Sequence, residues 1–227
     1  MIRVAIIHPS FGRPELSLNA EKEWFENADR PNEIEYFIAL DDNDPDLDKY
    51  LVQSRPSFGR VSVDIGNSRT GIQAMNRAAK KISPTTELIM VVADDQGCPV
   101  HWDTEMFKLL EGIDNFKEPK YIYVSDGFSD MSKDEGPKYA YINRAFYNRV
   151  GFLQCPEYHA MYADNDYFEC AKILGMVRAP LLIFPHRHHS RGQGKWDEIY
   201  WRTNNLESVY QGQKVFADRK NRHFDLA

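Results

Sequence analysis

The sequence lacks any long uninterrupted apolar segment. No stretch approaches the roughly 18 consecutive apolar residues that a membrane-spanning helix requires. The first apolar stretch, RVAIIHP, runs directly into His8 and Pro9, which is not the layout of a secretory signal peptide. Long polar tracts of the kind found in disordered chains are also missing, and hydrophobic residues make up 42% of the chain. We therefore expect a soluble, cytoplasmic globular protein.

Cysteine is scarce and positive charge is in deficit. The three cysteines, Cys98, Cys155 and Cys170, show no CxxC spacing, which argues against a disulfide framework and a zinc–thiolate site. With 28 Lys and Arg against 34 Asp and Glu, the net charge is −6, so the chain lacks the overall basic footprint of a dedicated nucleic-acid binder. Charge is nevertheless uneven, because DDNDPDLD (41–48) is acidic and RHHSRGQGK (187–195) is basic. The basic segment suggests a local anionic ligand.

Short segments rich in β-branched and aromatic residues alternate with segments of helical periodicity. In the first 95 residues the predicted strands cover 3–9, 35–41, 60–64 and 88–93, and the predicted helices cover 14–27 and 66–82. The continuous apolar run LIMVVA (88–93) is typical of a strand that is covered on both faces. Further strands are predicted at 121–127, 138–142 and 176–185, with helices at 143–151 and 166–175. This pattern predicts an α/β fold with a mostly parallel central sheet flanked by helices.

Polar side chains follow the strands of the predicted parallel sheet. Asp94 and Asp95 come directly after LIMVVA. The other members of this group are His8, Ser10 and Arg13 after the first strand, Asp41 after the second, and Asn67 and Arg69 after the third. Because ligands of open α/β sheets bind beyond the carboxyl ends of the strands, we expect these side chains to share one edge.

The adjacent carboxylates of Asp94 and Asp95 repel each other unless a cation or hydrogen-bond donors offset their charge. A divalent cation that bridges to a diphosphate would do so. The alternative is that the two residues only cap the turn that precedes Gly97.

The order of these motifs resembles that of the family 2 glycosyltransferases, which have the GT-A fold. The resemblance is carried by five segments: IIHPSFGRPELSLNAEKEWFEN, FIALDDND, GNSRTGIQAMNRAAKK, LIMVVADDQ and YINRAFYNRVGFLQCPEYHAMYADNDYFECAKILG. It covers roughly residues 1–190. It implies a single GT-A-like domain over residues 1–227, with a nucleotide-binding half (1–97), an acceptor half (98–190) and a C-terminal loop and helix (191–227).

The resemblance also implies roles for individual residues. Asp95 would ligate Mn²⁺ or Mg²⁺, with His186 or His188 as a further ligand. The residues that would bind the donor, most commonly a UDP-sugar, are His8, Ser10, Arg13, Asp41, Asn67, Arg69, Asp94, Arg191 and Lys195. Where the family often has Glu-Asp, this chain has Ala163-Asp164-Asn165-Asp166. The general base that takes the proton of the acceptor hydroxyl is therefore Asp164 or Asp166, and the spacing favours Asp164.

The activity implied by the resemblance is metal-dependent, inverting transfer of a hexose or pentose. Its acceptor would be a glycan, a protein or a modified DNA base, the last in a host cytoplasm if a phage encodes the protein. One alternative is a metal-dependent hydrolase that uses His186, His188 and His189 with the Asp pair. A second is a sugar nucleotidyltransferase, although only one glycine, Gly12, follows the first strand closely. A third is a non-catalytic module that binds sugar nucleotides.

Overall fold

A central sheet forms the core of the structure, a computed structural model that describes residues 1–53, 59–112, 116–187 and 197–226. Within those ranges it contains seven strands: β1 (Val4–Pro9), β2 (Ile34–Asp41), β3 (Arg60–Gly66), β4 (Leu88–Val91), β5 (Tyr121–Ser125), β6 (Tyr141–Asn143) and β7 (Met176–Ile183). Their order across the sheet is β3-β2-β1-β4-β6-β5-β7. Neighbouring strands are parallel throughout the first four strands, and β7 is parallel to β5. Only β6 runs antiparallel, to both β4 and β5. The predicted mostly parallel α/β sheet is confirmed.

Helices cover both faces of the sheet. They are α1 (Pro14–Glu26), α2 (Leu47–Leu51), α3 (Gly71–Ala79), α4 (Trp102–Glu111), α5 (Arg144–Val150), α6 (Ala163–Leu174), α7 (Glu198–Thr203) and α8 (Leu206–Asn221). The short α2 and the longer α4 were not predicted from the sequence. In the part of the chain that the structure describes, no helix is both long enough and apolar enough to cross a bilayer.

The strands in the middle of the sheet are buried on both faces. Along β1, Ala5 and Ile7 pack into the hydrophobic cluster on the face of α3 and α6, while Val4 and Ile6 pack into the cluster on the face of α1 and α4. This alternation follows from the two-residue period of a strand. It explains the unbroken apolar run of β4, since every side chain from Leu88 to Val91 is buried.

The first four strands end at the same edge of the sheet because they run in the same direction. There α1 begins with Pro14 at its first turn, where the missing backbone N–H costs nothing. Helix α3 begins after Thr70, whose side-chain oxygen accepts a hydrogen bond from the backbone N–H of Gln73 at 3.2 Å. Two helix starts and four strand ends therefore surround one region, which is the region that the sequence predicted for ligand binding.

Candidate active site

A cavity of about 630 Å³ lies at this edge of the sheet. It is lined by Pro9, Ser10, Phe11 and Arg13 after β1, Ala39 and Asp41 of β2, residues 69–75, Ala93 and Asp94 after β4, and Gln154, His159, Ala160, Thr203, Asn205, Glu207 and Ser208 from the second half. Its volume is within the usual range for small-molecule sites. Five of the residues predicted to bind the donor line it: Ser10, Arg13, Asp41, Arg69 and Asp94.

Two predicted donor residues have other positions. His8 is fully buried and is not among the residues that line the cavity, so the structure does not favour a direct contact of His8 with a nucleotide bound there. Its imidazole lies behind Asp94 instead. Asn67 is exposed and is not among the residues that line either of the two cavities, so its approach to the donor stays a prediction.

Asp94 is held in place by side chains from the end of β1. Its Oδ1 accepts a hydrogen bond from the Ser10 hydroxyl at 2.7 Å and lies 3.0 Å from Nε2 of His8. Because a carboxylate only accepts, Nε2 of His8 carries a proton, and Nδ1 of the same ring lies 2.7 Å from the Tyr36 hydroxyl. Arg13 adds positive charge, with its guanidinium nitrogen 3.8 Å from Asp94 Oδ2. These donors and the positive charge offset the free-energy cost of burying the Asp94 carboxylate beside Asp95.

Tyr50 supports the same arrangement from α2. Its hydroxyl is 2.8 Å from Ser10 Oγ and accepts the backbone N–H of Arg13 at 2.9 Å. Since the Ser10 proton is used on Asp94, the Tyr50 hydroxyl donates to Ser10. Burial raises the pKa of Tyr50, so the phenol keeps the proton that this role requires.

Asp95 faces a different set of partners. The Tyr200 hydroxyl donates to Asp95 Oδ2 at 2.6 Å, and Nε2 of His186 lies 3.4 Å from the same oxygen. Burial alone would raise the pKa of Asp95, but the hydrogen bonds and charge of His186 and the Tyr200 hydroxyl together lower the pKa well below its ordinary value. Asp95 is therefore an anion at any pH near neutrality.

Backbone pairing brings His186 to Asp95. The segment after β7 runs antiparallel to the segment after β4, with a bridge between Gln96 and His186. The backbone N–H of Arg187 donates to the Asp95 carbonyl at 2.8 Å, and Gly97 N–H donates to the Pro185 carbonyl at 2.9 Å. The alternative reading of the Asp pair as turn caps alone does not account for these convergent partners.

The remaining predicted ligands of the basic segment, His188, Arg191 and Lys195, lie outside the described residues, as does His189. Among the residues that the structure does describe, no group of three or more His, Cys, Asp or Glu side chains could hold a metal ion. The described metal-ligand candidates are therefore the pair Asp95 and His186.

A second cavity, of about 550 Å³, adjoins the first. It is lined by Gln154, Ala160, Met161, Tyr162, Asp164, Asn165, Thr203, Asn204 and Val209, and shares Gln154, Ala160 and Thr203 with the first cavity. Asp164 is the one charged side chain among these lining residues and is exposed. The structure thus places a carboxylate in a compartment next to the donor-sized cavity.

Asp166, the other candidate base, is fully buried and is not at either cavity. The guanidinium of Arg219, in α8, donates two hydrogen bonds to this carboxylate: Nε to Oδ2 at 2.5 Å and Nη2 to Oδ1 at 3.2 Å. The Tyr158 hydroxyl donates to Oδ2 at 2.9 Å. Of the two candidate bases, this enclosure favours Asp164 over Asp166, because an acceptor has no open path to a buried, paired carboxylate.

Asn76 of α3 holds the backbone of the segment that lines both cavities. Its side-chain oxygen accepts the backbone N–H of Leu153 at 2.8 Å, and its nitrogen donates to the Gln154 carbonyl at 2.7 Å. Gln154 lines both cavities. Sequence reasoning missed this residue, and it also missed Tyr36, Tyr50, Asp197 and Tyr200, because their roles depend on contacts between distant segments.

No protein-family model and no curated protein sequence matches this chain. Solved structures do. Residues 1–349 of TarS from S. aureus superpose with a TM-score of 0.63 at 14% identity, over 100% of this chain and 73% of that one. The mannosyltransferase PcManGT from Pyrobaculum calidifontis, in complex with GDP-Man and Mn²⁺, gives a TM-score of 0.57 at 13% identity, over 96% of this chain and 75% of that one.

A third similar structure is glucosyl-3-phosphoglycerate synthase from Mycobacterium tuberculosis, in complex with Mn²⁺, UDP-glucose and phosphoglyceric acid. It gives a TM-score of 0.56 at 8% identity, over 95% of this chain and 80% of that one. At these identities the likeness concerns the fold. The chain has the GT-A fold, which confirms the fold that its motif order implied.

Proposed function

We propose that the protein is a glycosyltransferase that moves a sugar from a nucleoside diphosphate sugar, most commonly a UDP-sugar, to an acceptor hydroxyl. The observation that carries the proposal is the pairing of two compartments. One is a donor-sized cavity at the end of the parallel strands, with Asp94 in its wall. The other adjoins it and contains the exposed carboxylate of Asp164. Similar structures with bound UDP-glucose or GDP-Man and Mn²⁺ support the same function.

The donor roles follow from position. Asp41 and Arg69 lie at the ends of β2 and β3, where they are available to the base and ribose. Asp94 is fixed by three neighbours and presents a carboxylate to the ribose hydroxyls. Arg13, between Asp94 and Asp197, supplies positive charge for the diphosphate.

A divalent cation fits the donor set next to this cavity. Asp95 Oδ2 and His186 Nε2 are 3.4 Å apart, and a carboxylate oxygen with an imidazole nitrogen suits Mn²⁺ and, less well, Mg²⁺. When bound, the cation would offset the negative charge that develops on the leaving diphosphate. The low pKa of Asp95 keeps its carboxylate free of a competing proton.

Asp164 performs the proton transfer in this proposal. Its carboxylate takes the proton of the acceptor hydroxyl while that oxygen attacks the anomeric carbon and the bond to the diphosphate breaks. One carboxylate and a single displacement give inversion at the anomeric carbon. Asn165 contributes by donating its backbone N–H to Asp164 Oδ1 at 2.9 Å, which fixes the carboxylate at the start of α6.

The acceptor compartment favours an uncharged acceptor. Among its described lining residues, the amides of Gln154, Asn165 and Asn204 and the hydroxyl of Thr203 can bond sugar hydroxyls, and no Lys or Arg is present to hold a phosphate. A glycan hydroxyl therefore fits better than a modified base within DNA, and a protein hydroxyl is the second choice. The hydrolase alternative gains no support from the described residues, where no cluster of three metal-binding side chains occurs.

Thermal unfolding tests the proposal. Nucleoside diphosphates and their sugars are screened with Mn²⁺ and with EDTA, and a ligand at 100 times its Kd should stabilise the protein by about 2.7 kcal/mol. One nucleotide should stabilise the protein only with the metal, and Asp95→Ala should abolish the shift. Asp130→Ala, which removes a half-exposed carboxylate in the loop after β5, is the matched control and should respond normally. If no nucleotide stabilises the protein at millimolar concentration, the proposal is wrong.

A further inference from the structure

A side chain of the short helix α7 forms a hydrogen bond with the candidate metal ligand Asp95. This side chain, Tyr200, lies 105 residues after Asp95 in the chain. The Tyr200 hydroxyl donates to Asp95 Oδ2 at 2.6 Å. Because a carboxylate can only accept, the Tyr200 phenol is the donor of this hydrogen bond. The accepting oxygen is the one that faces Nε2 of His186 at 3.4 Å.

Asp197 fixes the position of α7. Its carboxylate caps the helix by accepting the backbone N–H of Tyr200 at 3.1 Å. The same carboxylate binds the guanidinium of Arg13 through two hydrogen bonds, of 2.8 and 2.7 Å. A guanidinium and a carboxylate joined by two hydrogen bonds are fixed in relative orientation as well as in distance. The start of α7 is therefore anchored to the loop that follows β1.

The Tyr200 ring is held as well as its hydroxyl. The Arg13 guanidinium carbon lies 4.8 Å from the centre of the ring, within the range of a cation–π contact. With Arg13 on its face and Asp95 at its hydroxyl, the phenol has little freedom to turn. It can therefore restrict the side-chain rotation of Asp95.

We propose that Tyr200 is a positioning residue for Asp95, so that α7 forms part of the metal and donor site. A carboxylate oxygen has two lone pairs, and the Tyr200 proton occupies one of them. The other is left for a cation, and His186 Nε2 lies 3.4 Å from the same oxygen. Carboxylates that bind metals are commonly held by such a hydrogen bond, and losing it costs 10- to 100-fold in metal affinity. The inference rests on the proposed function, because it requires that Asp95 binds a cation.

The test measures cation binding and not turnover. Mn²⁺ is titrated into the protein with saturating UDP, and free Mn²⁺ is followed by its electron paramagnetic resonance signal. Tyr200→Phe keeps the ring over Arg13 and removes the hydroxyl, so the Kd for Mn²⁺ should rise by about 10- to 100-fold. Tyr210→Phe is the matched control, since Tyr210 is an exposed tyrosine of α8, and its Kd should equal that of the wild type.

A further variant separates positioning from folding. Replacement of Tyr200 by 4-aminophenylalanine restores a donor at the same place and should recover most of the Mn²⁺ affinity. Thermal unfolding in EDTA should differ little among the variants.

Three results would overturn the inference. The first is a Kd for Tyr200→Phe within about two-fold of the wild-type value, the second is tighter binding, and the third is no recovery with the amino variant. A wild-type protein that binds no Mn²⁺ at all would instead overturn the proposed function, and this inference with it.

Discussion

Two acidic pairs, one at the end of β4 and one at the start of α6, divide their roles in the same way. Asp94 is fixed by hydrogen bonds from the loop after β1, while Asp95 turns to partners from the C-terminal segments. Asp166 is locked to Arg219 inside the protein, while Asp164 lies exposed in the second cavity. In each pair one carboxylate is held by side chains from other segments, and in the proposed function its neighbour binds the cation or takes the acceptor proton.

The difference between the pairs lies in how completely the fixed member is enclosed. Asp94 accepts from Ser10, lies against His8 and Arg13 and still lines the first cavity, whereas Asp166 is paired with Arg219 and reaches neither cavity. A residue two positions along a helix points about 200° away, so Asp164 and Asp166 must face opposite sides of α6. No such period governs Asp94 and Asp95 after the strand. The two carboxylates of the α6 pair, Asp164 and Asp166, are therefore separated more completely than Asp94 and Asp95.

The largest expected effect concerns Asp164. Asp164→Asn should lower the transfer rate by about 10²- to 10⁴-fold, because an amide cannot take the acceptor proton. Affinity for the donor, measured by nucleotide titration, should change by no more than a few-fold. Glu169→Gln makes the same acid-to-amide change on α6 at a residue that lines neither cavity, so it is the control and should retain most of the activity. An equal loss of donor binding in Asp164→Asn would show that the two compartments are not separate.

The next effect tests the fixed member of the α6 pair. Arg219→Met leaves Asp166 buried without a counter-charge and should cost about 3–5 kcal/mol in the free energy of unfolding, measured in urea. Arg222→Met breaks a half-exposed pair with Glu157 and Asp225 and should cost about 1 kcal/mol or less. Equal costs would mean that the enclosure of Asp166 contributes nothing.

A smaller effect is expected for the fixed member of the β4 pair. Asp94→Ala removes the acceptor of the Ser10 and His8 hydrogen bonds and should cost about 1–3 kcal/mol, since His8 is fully buried. The same urea titration measures it, and Asp42→Ala, a half-exposed acid after β2, serves as the reference. A cost above that of Arg219→Met would reverse the comparison between the two pairs.

The smallest effect concerns a thiol beside Asp166. Burial, with the nearby Asp166 charge, raises the pKa of Cys170 to about 12, and burial raises that of Cys155 to about 11. A raised thiol pKa adds stability that is complete below the ordinary value of 9.0 and is lost as the pH rises toward 11 to 12. At pH 8 neither thiol should react with a disulfide reagent until urea is added. Rapid labelling of Cys170 in the folded protein would mean that the Asp166 pocket is open.

The sheet could be predicted because its signals are local. The apolar run of β4, the alternation of β1 and the helical period of α3 each depend on neighbouring residues. The edge of the sheet that carries the polar side chains could be predicted for the same reason, since parallel strands end together. The position of single residues at that edge was less predictable. Asn67 follows β3 directly, yet it is not among the residues that line either cavity.

The choice between Asp164 and Asp166 could not be settled from the sequence. It depends on Arg219, 53 residues later, which reaches back from α8 to enclose one of the two carboxylates. The hydrogen bond from Tyr200 to Asp95 spans 105 residues. Such pairs arise only when the chain packs, and one sequence contains no periodic pattern that marks them.

The bond between Arg219 and Asp166 has a practical consequence for fragments of this protein. Arg219 also donates hydrogen bonds to the Phe224 carbonyl and the Asp225 carboxylate. Residues after α8 therefore contact the same guanidinium that pairs with Asp166. A shortened version that stops before α8 would leave the buried Asp166 carboxylate without its guanidinium partner. We therefore expect that a stably folded fragment must extend through Asp225, and that affinity tags belong beyond that residue and not in place of it.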